Sequence, residues 1–184
     1  MGLTEGVIGA CILLSFWAWA QEEPDTLWIK WGLSPYAVWD YSEWYRLFTS
    51  VFFHDGILHL LVNSLVFYSF GRPVELYYGW KVYLALLITG ALASGLLTLW
   101  MYKKDPRHLS IGLSGVVNAV LFAYILNYPW ATLLLFGLLP LPAWVFALLY
   151  VGYSLYAALQ ERSFVNHWAH LGGALGGLAF AYLV

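Results

Sequence analysis

Six apolar stretches, separated by polar loops, set the strongest limit on what this chain can fold into. They fall at about residues 3–20, 57–78, 82–102, 113–128, 133–159 and 164–184. A helix needs about 20 apolar residues to cross a bilayer, and it satisfies its own backbone polar groups there. The expected fold is therefore an all-α membrane protein, a single domain of six transmembrane helices over residues 1–184. Composition agrees, because only 10% of the residues are charged and 62% are hydrophobic, whereas soluble domains carry about 25% charged residues. A formal charge of -2 lacks the basic face that nucleic-acid binding requires. The single cysteine, Cys11, lies in an apolar run and supports no disulfide framework. The first stretch has no basic region ahead of it, so it reads as a retained span rather than a cleaved leader.

The loops carry their own information. Residues 21–55 mix charges with Trp28, Trp31, Trp39 and Trp44, and amphipathic rings prefer the headgroup layer. This first loop is expected to be a structured segment in the membrane interface. With six spans it shares a face with the loops at 101–108 and 159–163. That face holds Lys30, Arg46, Lys103, Lys104, Arg107 and Arg162, against Arg72 and Lys81 on the other. Counted alone, this bias would put the loop face in the cytoplasm.

Polar residues inside spans are costly and generally face the bundle interior. Those that stand out here are His59, Asn63, Ser114, Asn118, His167 and His170, with Asn166 at a rim and Glu75 beside Arg72 near a helix end. His59 and Asn63 are four apart, so they share one face of the second helix. They could be two donors aimed at one point, or an interhelical hydrogen-bond patch. Ser114, in Gly-Leu-Ser-Gly, stands where a helix begins, and there unpaired N–H groups and the helix dipole favour negative charge. It could attack a carbonyl while those groups receive the oxyanion, or it could be part of a small-residue packing surface. In the last span, Gly172/Gly176 and Gly173/Gly177 allow near backbone-to-backbone approach to a neighbour. If that neighbour is the fourth helix, His170 meets Ser114; His167, one turn nearer the rim, is the other candidate base. Together these residues supply a nucleophile, a base and anion donors. No carboxylate is placed to orient His170, so a Ser-His dyad is expected.

These motifs are similar to those of the rhomboid intramembrane serine proteases over roughly residues 43–184. The segment EWYRLFTSVFFHDGILHLLVNSLVFYSFGRPVELYYG resembles the family's Trp-Arg segment followed by its His-x-x-x-x-His-x-x-x-Asn helix. GLSG resembles Gly-x-Ser-Gly, AHLGGALGG resembles the sixth-helix Ala-His-x-x-Gly-x-x-x-Gly, and FGLLPLPAWVFA is similar to the start of the fifth helix. The resemblance implies a six-helix bundle with Ser114 as nucleophile and His170 as general base. His59, Asn63 and the Ser114 N–H would form the oxyanion hole, and Gly112 and Gly115 would shape the nucleophile turn. His54 matches a histidine near a water-retaining cavity, Trp44 and Arg46 belong to the first loop, and Glu75 with Arg72 to an inter-helix polar contact. One departure stands out. Many members carry an aromatic residue four after the serine, packed on the catalytic histidine, and here that position is Asn118.

The resemblance further implies single-span membrane protein substrates, a lipid bilayer as surroundings, and neither metal nor cofactor. It places the first loop outside the cytoplasm, against the charge count, and the cell (plasma or inner) membrane is the expected location. Rival proteases fit less well: His-Glu-x-x-His is absent, and Asp25, Asp40, Asp55 and Asp105 all fall in loops or at span ends. In-span charge is too sparse for a transporter. Two alternatives remain within the resemblance: a pseudoprotease that binds transmembrane helices, and a specialised member that trims C-terminal sorting tails.

Overall fold

The computed structural model describes residues 2–135, 137–160 and 165–184. The first span is α1 (Leu3–Trp19). Three short helices, α2 (Pro24–Trp31), α3 (Pro35–Tyr41) and α4 (Arg46–Thr49), and a single 3-10 turn at Ser50–Phe52 build the first loop. Then come α5 (Ile57–Tyr78), α6 (Trp80–Met101) and α7 (Ser114–Asn127). A hairpin of β1 (Thr132–Leu135) and β2 (Leu139–Pro142) precedes α8 (Ala143–Gln160) and α9 (His167–Leu183). By length and apolarity, α5, α6 and α8 could each cross a membrane alone, while α1 and α7 are shorter.

The helix α7 is the hub of the bundle. Every residue from Gly115 to Ala123 is buried, and α5, α6, α8 and α9 all pack around it. Its 14 residues span about 21 Å, short of the roughly 30 Å hydrocarbon layer. A fully sheathed short helix can end below the surface, and water can fill the space above its start.

The glycines of α9 divide their work between two neighbours. A Cβ on Gly172 would lie 2.6 Å from the Ala93 carbonyl oxygen and one on Gly176 2.6 Å from the Ala93 Cβ, both on α6. On the other flank, a Cβ on Gly173 would collide with the Gly115 carbonyl oxygen, and one on Gly177 with that of Ala119. Across α7, Gly115 in turn meets the side chain of Ser94 on α6. The expected approach of the last helix to the fourth is thus present, and α6 shares in it.

Polar staples fix the two ends of the bundle. Glu75 on α5 accepts from the backbone N–H groups of Leu3 (2.7 Å) and Thr4 (3.0 Å) and from the Thr4 hydroxyl (2.7 Å), satisfying the start of α1. Its ion pair with Arg72 is longer, at 3.7 Å, and Arg72 also reaches Glu5 at 3.0 Å. In the first loop, Pro24 and Pro35 occupy the first turns of α2 and α3, where a missing N–H costs nothing. Arg46 is buried and donates to the carbonyls of Ile29 (2.6 Å) and Gly32 (2.7 Å) while pairing with Glu43. The loop therefore folds around one guanidinium. Tyr36, Trp39, Tyr41 and Trp44 remain exposed on its surface, as an interfacial segment requires.

The fifth span needs correction. The run 133–159 reads as one helix, but Thr132–Leu135 and Leu139–Pro142 pair as antiparallel strands, with Thr132 opposite Pro142 and Leu135 opposite Leu139. Gly137 takes φ +72 between them. Pro140 and Pro142 lack the N–H that a helix interior needs, so the helix begins only at Ala143. In the last span, α9 starts at His167 with the Asn166 side chain capping the Ala169 N–H at 3.0 Å. Arg162 and the expected first residue, Phe164, lie outside the described residues.

Replacing Gly177 with Leu would force α9 off the α7 backbone. Overpacking of this kind costs about 1–3 kcal/mol, so the variant is expected to melt several degrees below wild type in detergent. Gly9→Ala, which meets nothing within 4 Å, is expected to melt at or slightly above the wild-type temperature. Equal melting of Gly177→Leu and wild type would show that the helices have room to spare.

Candidate active site

Ser114 is the first residue of α7, and the turn that delivers it is held from below. Gly112 has φ +119, a conformation that side chains rarely adopt, and a Cβ there would lie 2.8 Å from the His59 ring. Its N–H donates to the Ser50 carbonyl at 2.9 Å. The Leu113 N–H donates to His54 Nε2 at 3.3 Å, so His54 carries its proton on Nδ1, directed at the Ser15 hydroxyl 3.3 Å away. The Trp19 indole N–H holds the His54 carbonyl at 2.8 Å. His54 is wholly buried, and burial, then the neighbouring His59, push its pKa down to about 4 against a weaker upward pull from Asp55. It stays neutral and acts as a backbone acceptor beneath the serine turn.

Above the turn, α9 brings His170 to the serine: Nε2 lies 2.9 Å from the Ser114 Oγ. His167 does not take that place. It is buried one turn away, with its ring edge-on to Tyr153 and to His170. Both Ser114 and His170 are only partly buried. They line a cleft of about 1430 Å³ together with His59, Asn63, Asn118 and Tyr150.

The remaining residues of the cleft divide by what they bond. His59 Nδ1 lies 2.6 Å from Asp55 Oδ1. The other edge of the His59 ring, Cε1 and Nε2, faces Gly112. The Asn63 amide spends one N–H on the His59 carbonyl at 3.0 Å and has a second to offer. The Asn118 amide donates to the Ser114 carbonyl at 2.8 Å. Gly115 provides the close approach to α6 and α9 described above. At the rim, Asn166 donates to Ser110 (2.7 Å) and Thr98 (3.0 Å), and His108 stacks on Tyr102 with ring centroids 3.6 Å apart. Burial pushes the His108 pKa down to about 4, opposed by Asp105. Among the described residues no three His, Cys, Asp or Glu side chains gather into a metal-holding group.

Two contributors escaped the sequence reading. Tyr150 on α8 lies 3.1 Å from His170 Nδ1 and packs its ring on the imidazole at 6.5 Å and 22°. Nothing in an apolar helix that also holds Tyr153 and Tyr156 singles it out, except that position 118 had lost its ring. Asp55 carried a clearer signal, since it stands four residues before His59.

The loop histidines His54 and His108 give a sign for pH dependence. Both titrate near 6.5 when unfolded and near 4 when folded. Between these values the unfolded chain binds more protons, so stability rises with pH through that window and is lost as pH falls from about 6.5 toward 4. Melting in detergent across this range is expected to show the loss, with a shallower slope in His54→Gln. Parallel slopes for the two proteins would contradict the role given to His54.

Residues 41–184 match the family described as the Rhomboid domain. RHOMBOID-like protein 12, mitochondrial, of Arabidopsis thaliana is 30% identical over 145 residues, 71% of this chain and 43% of its own length. Rhomboid protease GluP of Bacillus subtilis is 38% identical over 86 residues, 45% of this chain and 15% of its own. Inactive rhomboid protein 1 of Rattus norvegicus is 30% identical over 150 residues, 77% of this chain and 16% of its own. The chain thus spans less than half the length of each of these relatives. With a mostly helical bundle of apolar spans, the family match over most of its length and relatives named rhomboid throughout, this chain belongs to the rhomboid family of membrane proteins.

Proposed function

We propose that this protein is an intramembrane serine endopeptidase that cuts single-span membrane proteins through a Ser114-His170 dyad. The family holds both proteases and proteins named inactive, so membership alone does not decide between them. The observation that carries the reading is the 2.9 Å contact between Ser114 Oγ and His170 Nε2, made at a helix start inside a cleft. An inactive helix-binding relative would have no need of that pairing.

The chemistry follows from the placement. His170 Nε2 takes the Ser114 proton as Oγ attacks the scissile carbonyl carbon. Negative charge then moves to the carbonyl oxygen, and in this reading the Ser114 N–H, the second Asn63 N–H and the His59 ring receive it. His170 returns the proton to the departing amine, and the acyl-enzyme is released by water. Water reaches this depth because α7 begins below the loop face. A substrate helix must unwind to present its carbonyl there, which favours cleavage near small or helix-breaking residues. Several relatives are named mitochondrial, so the similarity supports residence in a membrane rather than in the plasma or inner membrane specifically.

Cleavage of a model transmembrane substrate in detergent tests the reading. Ser114→Ala and His170→Ala are expected to abolish turnover and labelling by a fluorophosphonate probe, with melting temperatures near wild type. His59→Ala and Asn63→Ala are each expected to slow cleavage about 10- to 1000-fold, the range for single oxyanion donors. Undiminished turnover by Ser114→Ala would refute the assignment.

A further inference from the structure

We propose that Tyr150 is the positioning residue of this site, its hydroxyl fixing the tautomer and plane of His170 where a carboxylate would stand in a triad. The inference rests on the reading of Ser114 and His170 given above, and it follows from counting protons. If Ser114 Oγ–H donates to His170 Nε2 across 2.9 Å, a neutral imidazole must carry its proton on Nδ1. That proton points at the Tyr150 oxygen, 3.1 Å away, so the phenol accepts and its own O–H is free to donate onward. Two buried oxygens await it. Among the described residues, Asn118 Oδ1 and Ser154 Oγ are buried without a hydrogen-bond partner; Asn118 lines the same cleft as Tyr150, and Ser154 stands one turn further along α8. The Asn118 amide is already committed to the Ser114 carbonyl at 2.8 Å. Hydrogen bonds thus join the serine hydroxyl to His170 and His170 to Tyr150, and Asn118 holds the carbonyl of the same serine.

Packing holds the phenol still. Phe146 stacks on it at 5.8 Å and 19°, and Phe122 approaches from another side at 5.8 Å. The ring on His170 thus comes from α8, and the residue one turn beyond the serine on α7 is freed to be the hydrogen-bonding Asn118. When the serine proton moves to Nε2, the imidazolium keeps Nδ1–H on the Tyr150 oxygen, and Tyr150 remains a neutral phenol throughout. A carboxylate in this place would stabilise the cation more strongly, but burying it unpaired between spans is costly. A phenol orients without that burden.

Tyr150→Phe keeps the ring and removes only the oxygen. Its kcat on the model substrate is expected to fall roughly 10- to 100-fold, part of what general-base catalysis contributes, with KM near wild type. The acid limb of its pH–kcat profile is expected to move to lower pH, because the imidazolium loses its acceptor. In folded wild type, heteronuclear NMR of ring-nitrogen-labelled histidine is expected to place the His170 proton on Nδ1, a readout that does not depend on how the variant folds. A Tyr150→Phe enzyme with wild-type kcat and an unmoved acid limb overturns the proposal, as does a wild-type His170 protonated on Nε2 alone. Ser114→Ala, assayed alongside, separates the two levels. If it is dead while Tyr150→Phe is normal, only the role of Tyr150 falls; if it cleaves normally, the dyad falls as well.

Discussion

The glycine-to-backbone contact of α9 with α7 is the constraint on which the rest of this structure depends. Between lipid-embedded helices there is no hydrophobic driving force, since the acyl chains are as apolar as leucine, and close packing must hold them together. Gly173 and Gly177 sit where any Cβ would strike a carbonyl of α7, and Gly172 and Gly176 do the same work against α6. One helix is thereby clamped against two neighbours. The side chain just ahead of the clamp, His170, then has little freedom in where it reaches α7, and it reaches Ser114.

A hydroxyl and an imidazole set inside a helix bundle would be inert without water and without a rigid floor. The short α7 leaves the space, and the loop face closes around it. His54 accepts the Leu113 N–H from beneath, while Arg46 gathers the carbonyls of the first loop. A two-residue bridge between Leu33 and Ser110 ties that loop to the entry of α7. At the opposite end, Glu75 anchors α1 to α5. Charged and polar groups thus work as staples at the margins of the bilayer, and the midsection is left to packing.

Much of this was legible in the sequence because a membrane makes polar residues conspicuous. Six apolar runs announce six helices, and in so apolar a background Ser114, His170, His59 and Asn63 can hardly be missed. What stayed hidden was of the opposite kind. Tyr150 is one ring among many in an apolar helix, and its partner is known only once α8 and α9 are docked. The hairpin of Thr132–Leu135 and Leu139–Pro142 was lost in a continuous apolar run, which periodicity cannot assign to strand or helix, although Pro140 and Pro142 marked where a helix could not run. Asn118 was visible as a departure, but its bond to the Ser114 carbonyl and its place in the cleft shared with Tyr150 depend on helices docked together.

The most direct test of the central claim is an experimental structure of the protein after reaction with a fluorophosphonate. The account predicts phosphorus bonded to Ser114 Oγ, with the phosphoryl oxygen turned toward Asn63, His59 and the Ser114 N–H. His170 would remain against the adduct, with α9 still seated on the α7 backbone. An unmodified Ser114 in protein exposed to excess reagent, or an adduct with His170 on the far side of the bundle, would contradict it.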